Sequence, residues 1–135
     1  MTLNNICIIS GGFLTLLMGI FHCFYKRIFE WEKDFQKISI RNKRIFFTIH
    51  LALIGFFIII FILSLFFFNE LSNKSSFSIS FLLLLSLFWF IRGIWQIFYF
   101  KMPKELKVKS NRPLHYIITV YFFIISVLYF IPLVR

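Results

Sequence analysis

Apolar residues run almost unbroken over residues 3–24, 45–68, 77–100 and 114–134, and nearly every charge falls in the connections between those runs. Each run is about 20 residues or longer, enough at 1.5 Å per residue to cross a hydrocarbon core about 30 Å thick. Backbone groups in lipid must be satisfied within their own segment, so the runs predict helices; the alternation of a membrane β-barrel strand is absent. The pattern therefore predicts an all-α polytopic membrane protein: one domain over residues 1–135, with four transmembrane helices.

The first connection has a pattern of its own. Phe24, Ile28, Trp31, Phe35 and Ile38 recur at spacings of four and three, which puts them on one helical face. This predicts an amphipathic interfacial helix over about residues 26–38, with Glu30 able to pair with Lys26 or Lys33 on the polar side. A straight continuation of the first span would strand Trp31 and Phe35 in water, so a bend is expected. Residues 69–76 read as a tight turn that makes the second and third spans antiparallel neighbours. Pro103 marks the end of the third helix, and Pro113 suits the first position of the fourth.

Inside the spans, small or polar residues pick out packing faces. Cys7, Gly11, Thr15, Gly19 and Cys23 recur every four residues in the first span, a spacing that lets another helix come close. In the fourth, His115, Thr119, Ser126 and Tyr129 share a face that should turn inward, because lipid offers it no partners. The second span is Phe, Ile and Leu nearly all round and should carry much lipid-facing surface.

Composition agrees with the pattern. The 135-residue chain is 60% hydrophobic and 22% aromatic, with a mean hydropathy of +0.87. A soluble domain of that size could not bury so much apolar surface. The net charge of +10 does not point to nucleic acid, since the basic residues flank spans as they do in proteins whose loops meet anionic lipid headgroups. Residues 1–5 hold no Lys or Arg, so the first run is read as an uncleaved span. Cys7 and Cys23 lack CxxC spacing and predict packing thiols.

Charge also predicts orientation. Lys26, Arg27, Lys33, Lys37, Arg41, Lys43 and Arg44 lie in the first connection, and Lys101, Lys104, Lys107, Lys109 and Arg112 in the third; only Lys74 and Arg135 oppose them. The positive-inside rule then places both basic loops in the cytoplasm and both termini outside a cytoplasmic (inner) membrane. Trp31, Tyr99 and Tyr116 fall at the cytoplasmic interface.

That orientation brings candidate chemistry to one level. Arg92 lies about two turns inside the third span, Gln96 one turn nearer the cytoplasm on the same face, and His22, His50 and His115 at the matching ends of the other three. A charge at such depth costs a few kcal/mol unless it is paired or snorkels. Arg92, Gln96, His22, His50 and His115, with Trp89 and Trp95 beside them, form the candidate site.

Three readings stay open for it. The first is a structural polar cluster that fixes packing. The second is a site for an amphiphile, a lipid headgroup or a quinone-like ligand, with Arg92 on the polar head and Trp89 and Trp95 over its ring or chain. The third is haem held by paired histidines, with Arg92 on a propionate. A bare metal site is disfavoured by the guanidinium and by the lack of an intramembrane carboxylate. All five acidic residues, Glu30, Glu32, Asp34, Glu70 and Glu105, lie in connections, and no phosphate loop or nucleophile elbow occurs, so nothing points to catalysis. The expected partners are the bilayer with its anionic headgroups, and either a membrane-protein partner or further copies of this chain.

The run Asn42-Lys43-Arg44-Ile45-Phe46 with His50 after it, then Phe88-Trp89 with Arg92 and Gln96, resembles a set of small four-span bacterial integral membrane proteins, as does Gly19 to His22 with Phe29 and Trp31 downstream. The resemblance implies a four-helix membrane fold and treats these polar positions as one constellation. It implies no activity, cofactor or partner.

Overall fold

A computed structural model of the chain describes residues 1–99 and 112–135, apart from the side chains of Asp34 and Arg112. All regular structure among them is helical: α1 (Leu3–Cys23), α2 (Tyr25–Ile28), α3 (Trp31–Phe35), α4 (Ile40–Phe66), α5 (Phe68–Ser72), α6 (Ser76–Phe98) and α7 (Arg112–Val134). Helices α1, α4, α6 and α7 are long and apolar enough to cross a membrane, so the chain is an all-α, multi-pass membrane protein. The stop expected at Pro103 and the basic residues Lys101, Lys104, Lys107 and Lys109 lie outside the described residues.

Local chemistry sets the helix ends. The span expected from residue 45 begins at Ile40, because Ser39 takes extended backbone as N-cap and its hydroxyl accepts from the Asn42 amide at 3.3 Å. Ser75 does the same for α6, accepting from the Ser78 amide at 3.1 Å. The turn expected over residues 69–76 is partly helical: α5 occupies its first half, and Lys74, at φ 57, makes the reversal.

The chain divides into two compact units, residues 1–11 with 68–135, and residues 12–67. In the first, α6 and α7 pack along their length. Leu82, Leu85, Ser86, Trp89, Gly93 and Gln96 are buried on α6 at helical spacing, and Ile118, Phe122, Ile125, Ser126 and Tyr129 are buried on α7. Ser86 and Ser126 each donate to the other's backbone carbonyl, at 3.0 and 2.9 Å. The two carbonyls thereby acquire donors that lipid cannot supply. Gly93 lets the Phe123 ring approach to 3.0 Å of where a Cβ would stand, and Gly11 receives the Tyr129 ring at the same distance. Asn5 donates to the Asn69 side chain at 3.3 Å.

In the second unit α1 packs on α4. Ser64 Cβ lies 2.5 Å from a Cβ position on Gly12, and Phe57 Cβ 3.3 Å from one on Gly19, while Phe13 meets Phe61 edge to face. Only 17% of α4's most apolar window is buried, against 44%, 33% and 33% for the other spans, which leaves α4 the most exposed of the four.

The helix expected over residues 26–38 is present as two pieces, α2 and α3. Glu30, at φ 48, breaks it, a conformation that costs a non-glycine residue on the order of 1 kcal/mol. The reversal returns Trp31 and Phe35 to the first turns of α4, where Trp31 meets Phe46 at 4.7 Å and Phe35 meets Phe47 at 5.4 Å. The break also reassigns the ion pairs. Lys33 pairs with Glu30, but Lys26 pairs with Glu32 at 2.8 Å, not Glu30. The hydrogen bond and charge of Lys26 hold the Glu32 carboxyl below its ordinary range.

Candidate functional site

Arg92 and Gln96 stand one turn apart on α6, and Arg92 Nη1 donates to Gln96 Oε1 at 2.9 Å. Gln96 Nε2 lies 3.1 Å from His115 Nδ1 on α7. A guanidinium has no acceptor, so the Gln96 oxygen must face Arg92 and its NH2 must face the imidazole. His115 Nδ1 therefore accepts, and a neutral His115 carries its proton on Nε2. Thr119 closes the series by donating to the His115 carbonyl at 2.8 Å. The guanidinium carbon also sits 4.7 Å above the centre of the Phe122 ring, within cation–π range.

A cleft of about 460 Å³ opens beside Arg92, lined among the described residues by Phe88, Ile91, Arg92 and Trp95. These positions, spaced three, one and three apart, form a face next to the buried stripe of α6. Trp95 stacks on Tyr99 at 5.1 Å. Trp89, grouped with Trp95 in the sequence, is fully buried and stacks on Phe122 at 5.6 Å. Phe88, Ile91 and Phe122 were not among the candidates, since an apolar residue lining a cleft looks the same in sequence as one facing lipid. Phe88 stands four residues before Arg92 and Ile91 four before Trp95, and that helical spacing was the signal that could have found the first two.

His22 and His50 come together in the second unit. His50 Nε2 donates to the His22 carbonyl at 3.0 Å, satisfying one acceptor at the C-terminal end of α1, and His22 Nδ1 donates to the Met18 carbonyl at 2.8 Å. Their ring centres lie 5.6 Å apart with planes 27° from parallel. Tyr25 stacks on His22 at 4.1 Å, and Trp31 meets His50 edge to face at 4.9 Å. Axial ligands must aim ring nitrogens at one iron. These rings present faces to each other, so the pair as placed does not aim a nitrogen from each side at one iron and does not fit haem. Among the described residues no group of three or more His, Cys, Asp or Glu is placed to hold a metal ion.

The structure thus brings Arg92, Gln96 and His115 into one hydrogen-bonded chain in one unit, and His22 and His50 into an aromatic cluster in the other. No family model matches the chain, and neither a curated protein nor a solved structure matches it.

Proposed function

We propose that the protein is a four-helix bundle of the cytoplasmic membrane that binds an anionic amphiphile, with the head on Arg92 and the chain along Phe88, Ile91 and Trp95, and acts as an accessory protein without catalysis of its own. The supporting observation is the cleft itself: the guanidinium of Arg92, which donates to Gln96, lines an otherwise apolar groove with Phe88, Ile91 and Trp95. Ligand sites between membrane helices combine such an apolar wall with a few fixed polar groups.

The test is binding of a pyrene-labelled alkyl sulfonate to the protein in nanodiscs of zwitterionic lipid, read by energy transfer from tryptophan. Arg92→Leu is expected to lower affinity by on the order of 10- to 100-fold, the worth of one charge-assisted hydrogen bond out of water. Arg92→Lys should also bind more weakly, because it keeps the charge but loses the planar fork. Unchanged affinity in Arg92→Leu would sink the reading.

The same proposal sets both termini outside and the basic loops in the cytoplasm, against anionic headgroups, from the asymmetry of Lys and Arg. In a background with Cys7 and Cys23 replaced by alanine, Ser72→Cys should react with an impermeant maleimide on intact cells while Lys37→Cys stays protected. The reverse labelling overturns the orientation.

A further inference from the structure

The turn from α3 into α4 carries cations and apolar side chains interleaved, and both kinds face outward. Lys37, Arg41 and Arg44 are exposed, and so are Ile38, Ile40 and Ile45 beside them. Arg41 and Arg44, three apart on α4, are neighbours by helical geometry. Glu30 and Glu32 of the same connection pair with Lys33 and Lys26 instead. Helix α4 has 27 residues, so it is about 40 Å long and outreaches a hydrocarbon core of about 30 Å. Its Lys and Arg residues all lie in its first two turns, which therefore reach the level of the lipid phosphates.

The turn is held in place from both sides. Trp31 packs on Phe46 and His50 with ring centres 4.7 and 4.9 Å away, and Phe35 packs on Phe46 and Phe47 at 5.1 and 5.4 Å. The Ile38 amide donates to the Phe35 carbonyl at 3.2 Å, and Ser39 caps α4. Helix α3 is thus pinned along the start of α4, and Lys37, on the short link between them, cannot swing far from Arg41.

We propose that this turn is a docking site for one anionic phospholipid, whose phosphate meets Lys37, Arg41 and Arg44 while its chains lie on Ile38, Ile40 and Ile45. The inference deepens the placement of the basic loops against anionic headgroups, on which it rests: one of those loops becomes a fixed site with named residues. A nucleic acid or an acidic protein would use the cations and leave the three isoleucines in water, whereas a lipid uses both. A mobile basic loop attracts anionic lipid in proportion to its charge, wherever that charge sits. A pinned turn makes position matter, and Trp31 and Phe35 act as positioning residues for it.

The test reconstitutes the full chain in nanodiscs holding an equal mixture of phosphatidylglycerol and phosphatidylcholine with the same acyl chains. Native mass spectrometry after transfer to mild detergent reads which lipid stays bound. The wild type should retain one phosphatidylglycerol in preference to phosphatidylcholine by on the order of tenfold. The double variant Arg41→Gln/Arg44→Gln should lose that preference, while Lys107→Gln/Lys109→Gln, which removes the same charge from the third connection, should keep it. Trp31→Ala leaves every cation in place and should also lose most of the preference. Equal losses in the two double variants, or an undiminished preference in Trp31→Ala, overturn the fixed site and leave the loops against headgroups. A loss in Arg92→Leu in place of the loss in Arg41→Gln/Arg44→Gln assigns the retained lipid to the cleft and overturns the site at the turn. Equal retention of both lipids by the wild type overturns the site together with the placement of the loops, and a poly-glutamate peptide bound instead would assign the cations to an acidic protein.

Discussion

Replacing Trp89 with alanine is expected to destabilise the protein by about 3 kcal/mol, the largest loss of any single truncation in the α6–α7 interface. Trp89 is fully buried and stacks on Phe122 at 5.6 Å, in the same layer where the Arg92 guanidinium lies over that ring. In a soluble core Trp→Ala costs about 3–5 kcal/mol. Between membrane helices the transfer part is small, because lipid is as apolar as the interior, so the cavity and the lost dispersion contacts carry most of the effect and favour the low end. Trp89→Phe, which keeps a ring on Phe122, should lose about 1 kcal/mol. Unfolding in mixed micelles with increasing denaturing detergent reads both values. Equal stability of Trp89→Ala and the wild type would mean that α6 does not turn this face toward α7.

Gly12→Val is expected to cost about 1–3 kcal/mol, the usual range for overpacking. A Cβ on Gly12 would stand 2.5 Å from Ser64 Cβ, closer than non-bonded carbons approach, and 3.6 Å from the Phe61 carbonyl oxygen. No rotamer of Ser64 moves its Cβ away, so α1 and α4 must separate. Gly55 is the control within the same unit, since nothing lies within 4 Å of its Cβ position. Gly55→Ala should be neutral or stabilising by up to about 1 kcal/mol, because alanine is the better helix former. The same unfolding assay separates the two sites, and a Gly12 variant as stable as the Gly55 variant would refute close α1–α4 packing.

Gly12 also shows where sequence periodicity stops. The every-fourth-residue stripe from Cys7 to Cys23 marked α1 as a packing helix, and Gly11 and Gly19 on that stripe do receive neighbours, Tyr129 and Phe57. The tightest approach falls on Gly12, off the stripe, and Cys23 is exposed. Spacing reports which residues are small. It does not report which neighbour has a side chain shaped to use the gap. The polar face of α7 was legible for a firmer reason: Thr119, Ser126 and Tyr129 are all buried, because a polar group facing lipid finds no partner whatever the arrangement of helices.

The candidate site divides along the same line. The link between Arg92 and Gln96 could be read directly, since positions four apart on one helix are neighbours by geometry alone. Matching depth put His22, His50 and His115 at one level with Arg92 and Gln96, but it named no pairs; in the structure Gln96 meets His115 and His50 meets the His22 carbonyl. It could not foresee that His50 would spend its Nε2 proton on the His22 carbonyl, since backbone acceptors at a helix end leave no mark in sequence. The interfacial segment was legible as an apolar stripe, while its break at Glu30 was not, because a non-glycine residue at positive φ is tolerated only where packing such as Trp31 on Phe46 outweighs the strain.

The sequence by itself determined four apolar helices, the connections that hold the charges, and the polar residues that had to turn away from lipid, because each follows from what one segment exchanges with a bilayer. Only the tertiary structure decided which apolar side chains line the cleft beside Arg92, which glycine admits a neighbouring helix, and which way the Arg92–Gln96–His115 hydrogen bonds run. Lipid and protein interior are equally apolar, so hydrophobicity does not tell the two faces of a membrane helix apart. Shape and hydrogen-bond direction do, and both come into being only when one helix meets another.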